Sequence, residues 1–116
     1  MSKYKVIFHI DEMHKWKLLL MNVSNLLEVI ANEKFSIEVL ADAEAVKYYD
    51  PTQNLGTDIE KLENLNIKGV KFVACNNALK VFKIEKHNIL DFVDTVPAGV
   101  LELVVKQSEG YAYIKP

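Results

Sequence analysis

The hydrophobic pattern of the chain alternates between short apolar runs and longer stretches with helical spacing. Runs typical of buried strands cover Tyr4 to Ile10, Phe35 to Ala41, Gly69 to Cys75, Phe92 to Val96 and Tyr111 to Ile114. Between them, apolar residues at three- and four-residue spacing predict helices, the longest over His14 to Ala31. This alternation predicts an α/β fold, a mainly parallel sheet of about five strands covered by helices on both faces.

Three local features refine this prediction. Asp11 directly follows the first strand and is expected to cap the long helix. Glu38 interrupts the apolar second strand, so we expect its side chain to be exposed near an edge or end of the sheet. Residues 51–56 form a polar loop of the kind that often covers a site in α/β proteins, and this loop is the best candidate for a mobile flap.

Length and charge limit the classes of function. With 116 residues, half of them hydrophobic, the chain is expected to form one domain over residues 1–116. The formal net charge is −2 and the lysines are interspersed with acids, so no basic stripe for nucleic acid is present. All fourteen basic residues are lysines, which excludes arginine-dependent phosphate recognition within one chain.

The chain shows no sign of a membrane or secreted protein. No apolar run approaches the roughly 20 residues that a membrane-spanning helix needs. Met1 to Lys5 leads into a strand rather than a signal peptide, and a single cysteine cannot form an internal disulfide. We therefore expect a cytoplasmic protein without a membrane partner.

The carboxyl ends of the predicted strands gather the candidate chemistry. In a parallel sheet these ends share one rim, which here comprises residues 9–11, 41–43, 74–77 and 96–99. Cys75 stands on this rim at a strand-to-helix junction. A helix N-terminus can lower the pKa of a cysteine thiol from near 8.5 to about 3.5–7.5, which favours the nucleophilic thiolate. The alternative is a small buried residue that packs at a strand end.

The neighbours of Cys75 also have two interpretations. At least one of Asn76 and Asn77 is expected to cap the following helix. Alternatively, their side-chain amides donate hydrogen bonds to an anion or persulfide on Cys75. His9 lies on the same rim and is either a base for Cys75 or simply a hydrogen-bonded histidine.

Known metal and cofactor motifs are absent from the sequence. The three histidines and the single cysteine lack the spacing of a metal site, so no metal ion is predicted. No glycine-rich dinucleotide loop, nucleoside-triphosphate loop or serine-hydrolase elbow occurs either, and no cofactor is predicted. Conventional hydrolase and oxidoreductase sites therefore lack support.

Several segments in their order along the chain resemble one known family. They are KVIFHID at 5–11, the Trp16 helix with Asn22 and Asn25, GVKFVACNNAL at 69–79, VPAGV at 96–100 and QSEGYAYIKP at 107–116. Together these segments resemble small stand-alone proteins of the DsrE/DsrF superfamily. The resemblance implies a three-layer α/β/α sandwich, assembled as homotrimers or hexamers.

The resemblance also implies a role for the cysteine. In the sulfur-relay branch of the superfamily, a cysteine in the loop after a central strand carries sulfur as a persulfide, and Cys75 occupies the matching place. Relay-type relatives have a basic segment after this cysteine and act in hetero-oligomers. This chain has only Lys80 and Lys83 there and resembles the stand-alone branch.

Two functional hypotheses follow. The first is a sulfur carrier that exchanges sulfur with donor and acceptor proteins through Cys75, supported by Asn76, Asn77, His9 and Asp11. The second is a non-catalytic homo-oligomeric module that binds a small ligand or a partner at the rim. This second hypothesis is motivated by the polar loop at 50–57, by the absence of a second catalytic group, and by the aromatic residues Trp16, Tyr48, Tyr49, Tyr111 and Tyr113.

Overall fold

A computed structural model describes residues 2–116 of the chain. Five strands and four α-helices follow one another in the order expected of an α/β protein. The strands are β1 (Tyr4–Ile10), β2 (Phe35–Ala41), β3 (Val70–Cys75), β4 (Asp94–Val96) and β5 (Ala112–Ile114). The helices are α1 (Trp16–Ile30), α2 (Ile59–Ile67), α3 (Asn76–Val81) and α4 (Gly99–Ser108). Short 3₁₀ segments cover Met13–Lys15, Ala43–Tyr49 and Lys86–Asn88.

The strands form one sheet in the order β4-β3-β2-β1-β5, and every pairing is parallel. From β1 to β4, each strand lies next to the preceding one, and β4 forms one edge of the sheet. The connection through α4 then returns the chain to the opposite edge, where β5 pairs with β1. Because crossovers between parallel strands are right-handed, this reversal places α4 on the other face of the sheet. The predicted three-layer α/β/α architecture with a parallel five-stranded sheet is confirmed.

Most of the hydrophobic core lies on the face covered by α1, α2 and α3. The apolar stripe predicted for the long helix is buried there and includes Trp16, Leu19 and Val23. The indole N–H of Trp16 donates to the carbonyl of Ala45 over 3.0 Å. The helix begins at Trp16 rather than at His14, because a 3₁₀ turn precedes it.

The α4 face of the sheet is covered much more sparsely. Its apolar core comprises Ile7, Leu40 and Val73, with Leu103 of α4 packed against them. Four further apolar residues of α4 point outward and are 38–71% exposed, namely Val100, Leu101, Val104 and Val105. One helix therefore covers a five-stranded sheet and carries an apolar outer surface of its own.

The prediction that Glu38 is exposed is wrong. β2 has β1 and β3 as neighbours, and α4 lies over the face from which Glu38 projects, so its side chain is only 3% exposed. The nearest cation is Lys106 of α4, whose Nζ lies 3.9 Å from Glu38 Oε1. Burial, together with the neighbouring Glu102 carboxylate, raises the pKa of Glu38 from 4.5 to about 8.

None of the helices in residues 2–116 combines the length and apolar character needed to span a bilayer.

Candidate functional site

The carboxyl ends of β3 and β4 open into a crevice. β3 leads into α3 on one face of the sheet, whereas β4 leads into α4 on the other. Parallel α/β sheets preferentially bind ligands where two adjacent strands diverge in this way. Cys75 is the last residue of β3 and pairs with Val96 of β4, so the thiol lies where the crevice begins.

The Cys75 sulfur faces the first turn of α4. Cys75 is 7% exposed, and its Sγ accepts a hydrogen bond from the backbone N–H of Gly99 over 3.3 Å. Gly99 is the first residue of α4, and the N–H groups of a first helical turn have no partners within the helix. A hydrogen bond from such a group, together with the helix dipole, stabilises a thiolate more than a neutral thiol.

The missing side chain of Gly99 allows this close approach. A Cβ at Gly99 would lie 3.4 Å from the Cβ of Cys75 and 3.2 Å from Oδ2 of Asp42. The separation from Asp42 is tighter than most Cβ contacts in proteins, so a side chain at residue 99 requires Asp42 or the start of α4 to shift by a few tenths of an ångström. Gly99 thus brings the helix N-terminus, the thiol and a carboxylate together.

A shallow cleft of about 500 Å³ borders the thiol. Its walls are mainly apolar and include Ala43, Ala78, Val81, Phe82, Ala98 and Val100. Asp42 is the only charged side chain among the residues that line it. A ligand that approaches Cys75 from the cleft therefore meets alkyl groups and one carboxylate.

Asp42 belongs to a chain of hydrogen bonds across three strand ends. Its Oδ2 lies 3.0 Å from Nε2 of His9, and Nδ1 of His9 lies 2.7 Å from the hydroxyl of Tyr113. Burial, with the nearby Asp11 and Asp42 carboxylates, raises the pKa of Tyr113 above its ordinary value, which keeps the phenol protonated. Both ring nitrogens of His9 are thus engaged, and within the described part of the chain no hydrogen bond joins His9 to Cys75.

The two asparagines do not cap α3 as predicted. The helix begins at Asn76, so Cys75 occupies the N-cap position, and no side-chain cap hydrogen bond forms. Asn77 lines the cleft together with Cys75, whereas Asn76 does not.

The prediction that Asp11 caps the long helix is also wrong. Glu12 occupies the N-cap position of the 3₁₀ turn that precedes α1. The Asp11 carboxylate instead lies 3.2 Å from Nζ of Lys115, and this hydrogen bond raises the pKa of Lys115. The predicted flap at 51–56 does not border the Cys75 cleft.

Three residues shape the site in roles that the sequence does not predict. Asp42 and Gly99 lie on the predicted rim without a predicted role, and Tyr113 is predicted only as one of the aromatic residues of a binding module. Of these three roles, only that of Gly99 is indicated by a sequence pattern, the VPAGV segment at 96–100. A glycine at the start of a helix permits another segment to approach the backbone closely.

Comparison with known proteins identifies a family and solved structures that are similar to this chain. A model of the DsrE/DsrF-like family matches residues 23–116. The chain is similar to MTH1491 of Methanobacterium thermoautotrophicum, a protein of unknown function, with 34% identity and a TM-score of 0.86, over 98% of this chain and 100% of that one. It also resembles the ychN protein of E. coli, with 16% identity and a TM-score of 0.80, over 97% and 99% of the two chains. The likeness to the E. coli protein shows the fold alone. No functionally curated protein matches the chain.

Proposed function

The chain belongs to the DsrE/DsrF-like family, and on that premise we propose that it carries sulfur as a persulfide on Cys75. The observation that carries this proposal is the position of the Cys75 sulfur, which accepts the N–H of Gly99 at the crevice between β3 and β4. A buried structural cysteine requires neither a helix N-terminus nor an adjoining cleft.

The proposed reaction is an exchange between thiolate and persulfide. The Cys75 thiolate attacks the outer sulfur of a donor persulfide, R–S–SH, and forms Cys75–S–SH while the donor departs as R–S⁻. An acceptor thiolate then attacks the outer sulfur of Cys75–S–SH and restores the Cys75 thiolate. The Gly99 N–H stabilises the anionic sulfur at the start and end of this cycle.

Incubation of the folded protein with an alkyl persulfide, followed by intact mass measurement, tests the proposal. We expect an adduct of about 32 Da, the mass of one sulfur atom, which a thiol reductant removes. Cys75→Ser is the control, because it removes the only thiol of the chain and must abolish the adduct. Failure of the folded wild-type protein to acquire the adduct would contradict the proposal.

A second candidate function is a homo-oligomeric binding module in which a neighbouring subunit completes the cleft. The outer face of α4 favours it, because Val100 and Val104 are 71% and 56% exposed and Val100 also lines the cleft. Apolar surface of this kind is typical of subunit contacts. Assembly as a trimer or hexamer is compatible with sulfur transfer as well.

Light scattering on size-separated protein tests the assembly. We expect an oligomer for the wild-type chain and dissociation in Val104→Glu, which places a charge on the outer face of α4. Glu63→Gln on the exposed surface of α2 serves as the control. A wild-type monomer at micromolar concentration would contradict subunit association.

A further inference from the structure

A group of potential metal ligands lies at the carboxyl ends of β1 and β2. One ring nitrogen of His9 and one carboxylate oxygen each of Asp11 and Asp42 all lie within 4.8 Å of one another. We propose that these three side chains bind one divalent transition-metal ion of the Zn²⁺ type. The sequence pattern places these residues on one rim but predicts no metal ion, because the ligands come from two strand ends about 30 residues apart and follow no local spacing pattern.

The distances are close to those of a coordination sphere. Ligand atoms that are each about 2.0–2.2 Å from one ion lie roughly 3 Å apart. Nε2 of His9 and Oδ2 of Asp42 are 3.0 Å apart and therefore already have this spacing. Asp11 is partly exposed just beyond β1, and one of its carboxylate oxygens lies within 4.8 Å of both atoms, so a bound ion would draw this oxygen closer.

The orientation of His9 supports the same role independently. Metal-binding histidines generally hydrogen-bond through the ring nitrogen that does not hold the metal. The Tyr113 hydroxyl lies 2.7 Å from Nδ1 of His9, which leaves Nε2 directed toward the carboxylates. Because a hydroxyl both donates and accepts, Tyr113 can pair with either tautomer of the imidazole.

A helix-capping role does not account for the two carboxylates. Asp42 occupies the N-cap position of the 3₁₀ segment Ala43–Tyr49, yet its side chain makes no cap hydrogen bond. Asp11 is not the N-cap of the 3₁₀ segment Met13–Lys15, because Glu12 occupies that position. Both carboxylates are therefore held beside His9 without a local backbone function.

The donor set determines the class of ion. One imidazole and two carboxylates suit Zn²⁺, Fe²⁺ or Mn²⁺, whereas Cu⁺ would require sulfur ligands. Among residues 2–116, Lys115 is the one lysine that pairs with either carboxylate; it contacts Asp11, and its side chain is 41% exposed. Lys115 would compete with the metal ion for Asp11, and its removal should strengthen binding.

Calorimetric titration of the full chain with Zn²⁺ near neutral pH tests the proposal. We expect one ion per chain in the wild type and in Cys75→Ser. Asp11→Asn and Asp42→Asn keep the size of the side chain but weaken binding at least about tenfold. Lys115→Met tightens binding, and Glu12→Gln, which alters the neighbouring acid outside the group, leaves it unchanged.

The Cys75→Ser protein separates this proposal from the proposed sulfur chemistry. Binding that disappears in Cys75→Ser would assign the metal to the thiol and overturn the proposal. Absence of one-to-one binding, or affinities unchanged in both asparagine variants, would overturn it as well. Circular dichroism verifies that each variant is folded, and Asp11→Asn, at a partly exposed position, is decisive if Asp42→Asn unfolds.

A Co²⁺ titration gives an independent measurement of the ligands. Visible absorption bands without a sulfur-to-metal charge-transfer band are expected, and in Asp11→Asn they should require higher Co²⁺ concentrations to appear. A charge-transfer band from sulfur in the wild-type protein would contradict the assignment.

Discussion

Replacement of the buried Glu38 by glutamine is expected to stabilise the protein at alkaline pH. In the wild-type protein Oε2 of Glu38 is buried without a hydrogen-bond partner, and the Lys106 ammonium is 3.9 Å from the other oxygen. This distance exceeds that of a direct hydrogen bond, so the ammonium does not fully compensate an ionised carboxylate. Glutamine has the same shape and cannot ionise.

The magnitude follows from the pKa of Glu38. The pKa is about 8 in the folded protein against an ordinary value of 4.5. A carboxyl whose pKa is raised by folding contributes stability that is fully present below the ordinary value and is lost as pH rises through the folded value. At about 1.4 kcal/mol for each pKa unit, the wild-type protein loses roughly 4–5 kcal/mol through this group between pH 4.5 and pH 8.

Urea denaturation at about pH 5 and pH 8, followed by the fluorescence of the single buried tryptophan Trp16, measures the effect. The difference in free energy of unfolding between Glu38→Gln and the wild type should grow by several kcal/mol between the two pH values, in favour of the variant. Glu28→Gln on the exposed side of α1 is the control and should show no such growth. A Glu38→Gln difference that is independent of pH would refute the reasoning.

Two further substitutions test the structural account by the same urea denaturation. Gly99→Ala is expected to lower the free energy of unfolding by about 1–3 kcal/mol, because its Cβ would crowd Asp42 and Cys75; unchanged stability would contradict the close packing of α4. Asp58→Ala is expected to cost about 0.5–2 kcal/mol, since Asp58 accepts the N–H of Lys61 as the N-cap of α2. If the alanine variant is as stable as the wild type, this cap does not stabilise the helix.

Local sequence patterns were sufficient to predict the strands, the long helix and the position of the cysteine at a strand end. The bounds of β1 and β2 follow directly from their apolar runs, and the three- and four-residue spacing located α1. The single cysteine at the end of a run that opens with Gly69 pointed to the carboxyl rim. In each case the signal lies within a few residues of the feature that it predicts.

The features that sequence reasoning missed depend on contacts between distant segments. Glu38 is buried because α4 returns over β2, and nothing near Glu38 in the sequence indicates this. His9 reaches Asp42 and Tyr113 only when β1 pairs with β2 and β5. Asp11 does not cap α1 because a 3₁₀ turn with Glu12 at its N-cap precedes the helix, and its carboxylate instead pairs with Lys115 at the far end of the chain.

The most direct test of the account is the alkylation rate of Cys75 in the folded protein, compared with the same chain unfolded in urea. If the cleft admits a reagent to the thiol, iodoacetamide modifies Cys75 in the folded protein near neutral pH, without urea. A thiol that reacts only after unfolding would mean that Cys75 is a packing residue, and the proposed sulfur chemistry would be wrong.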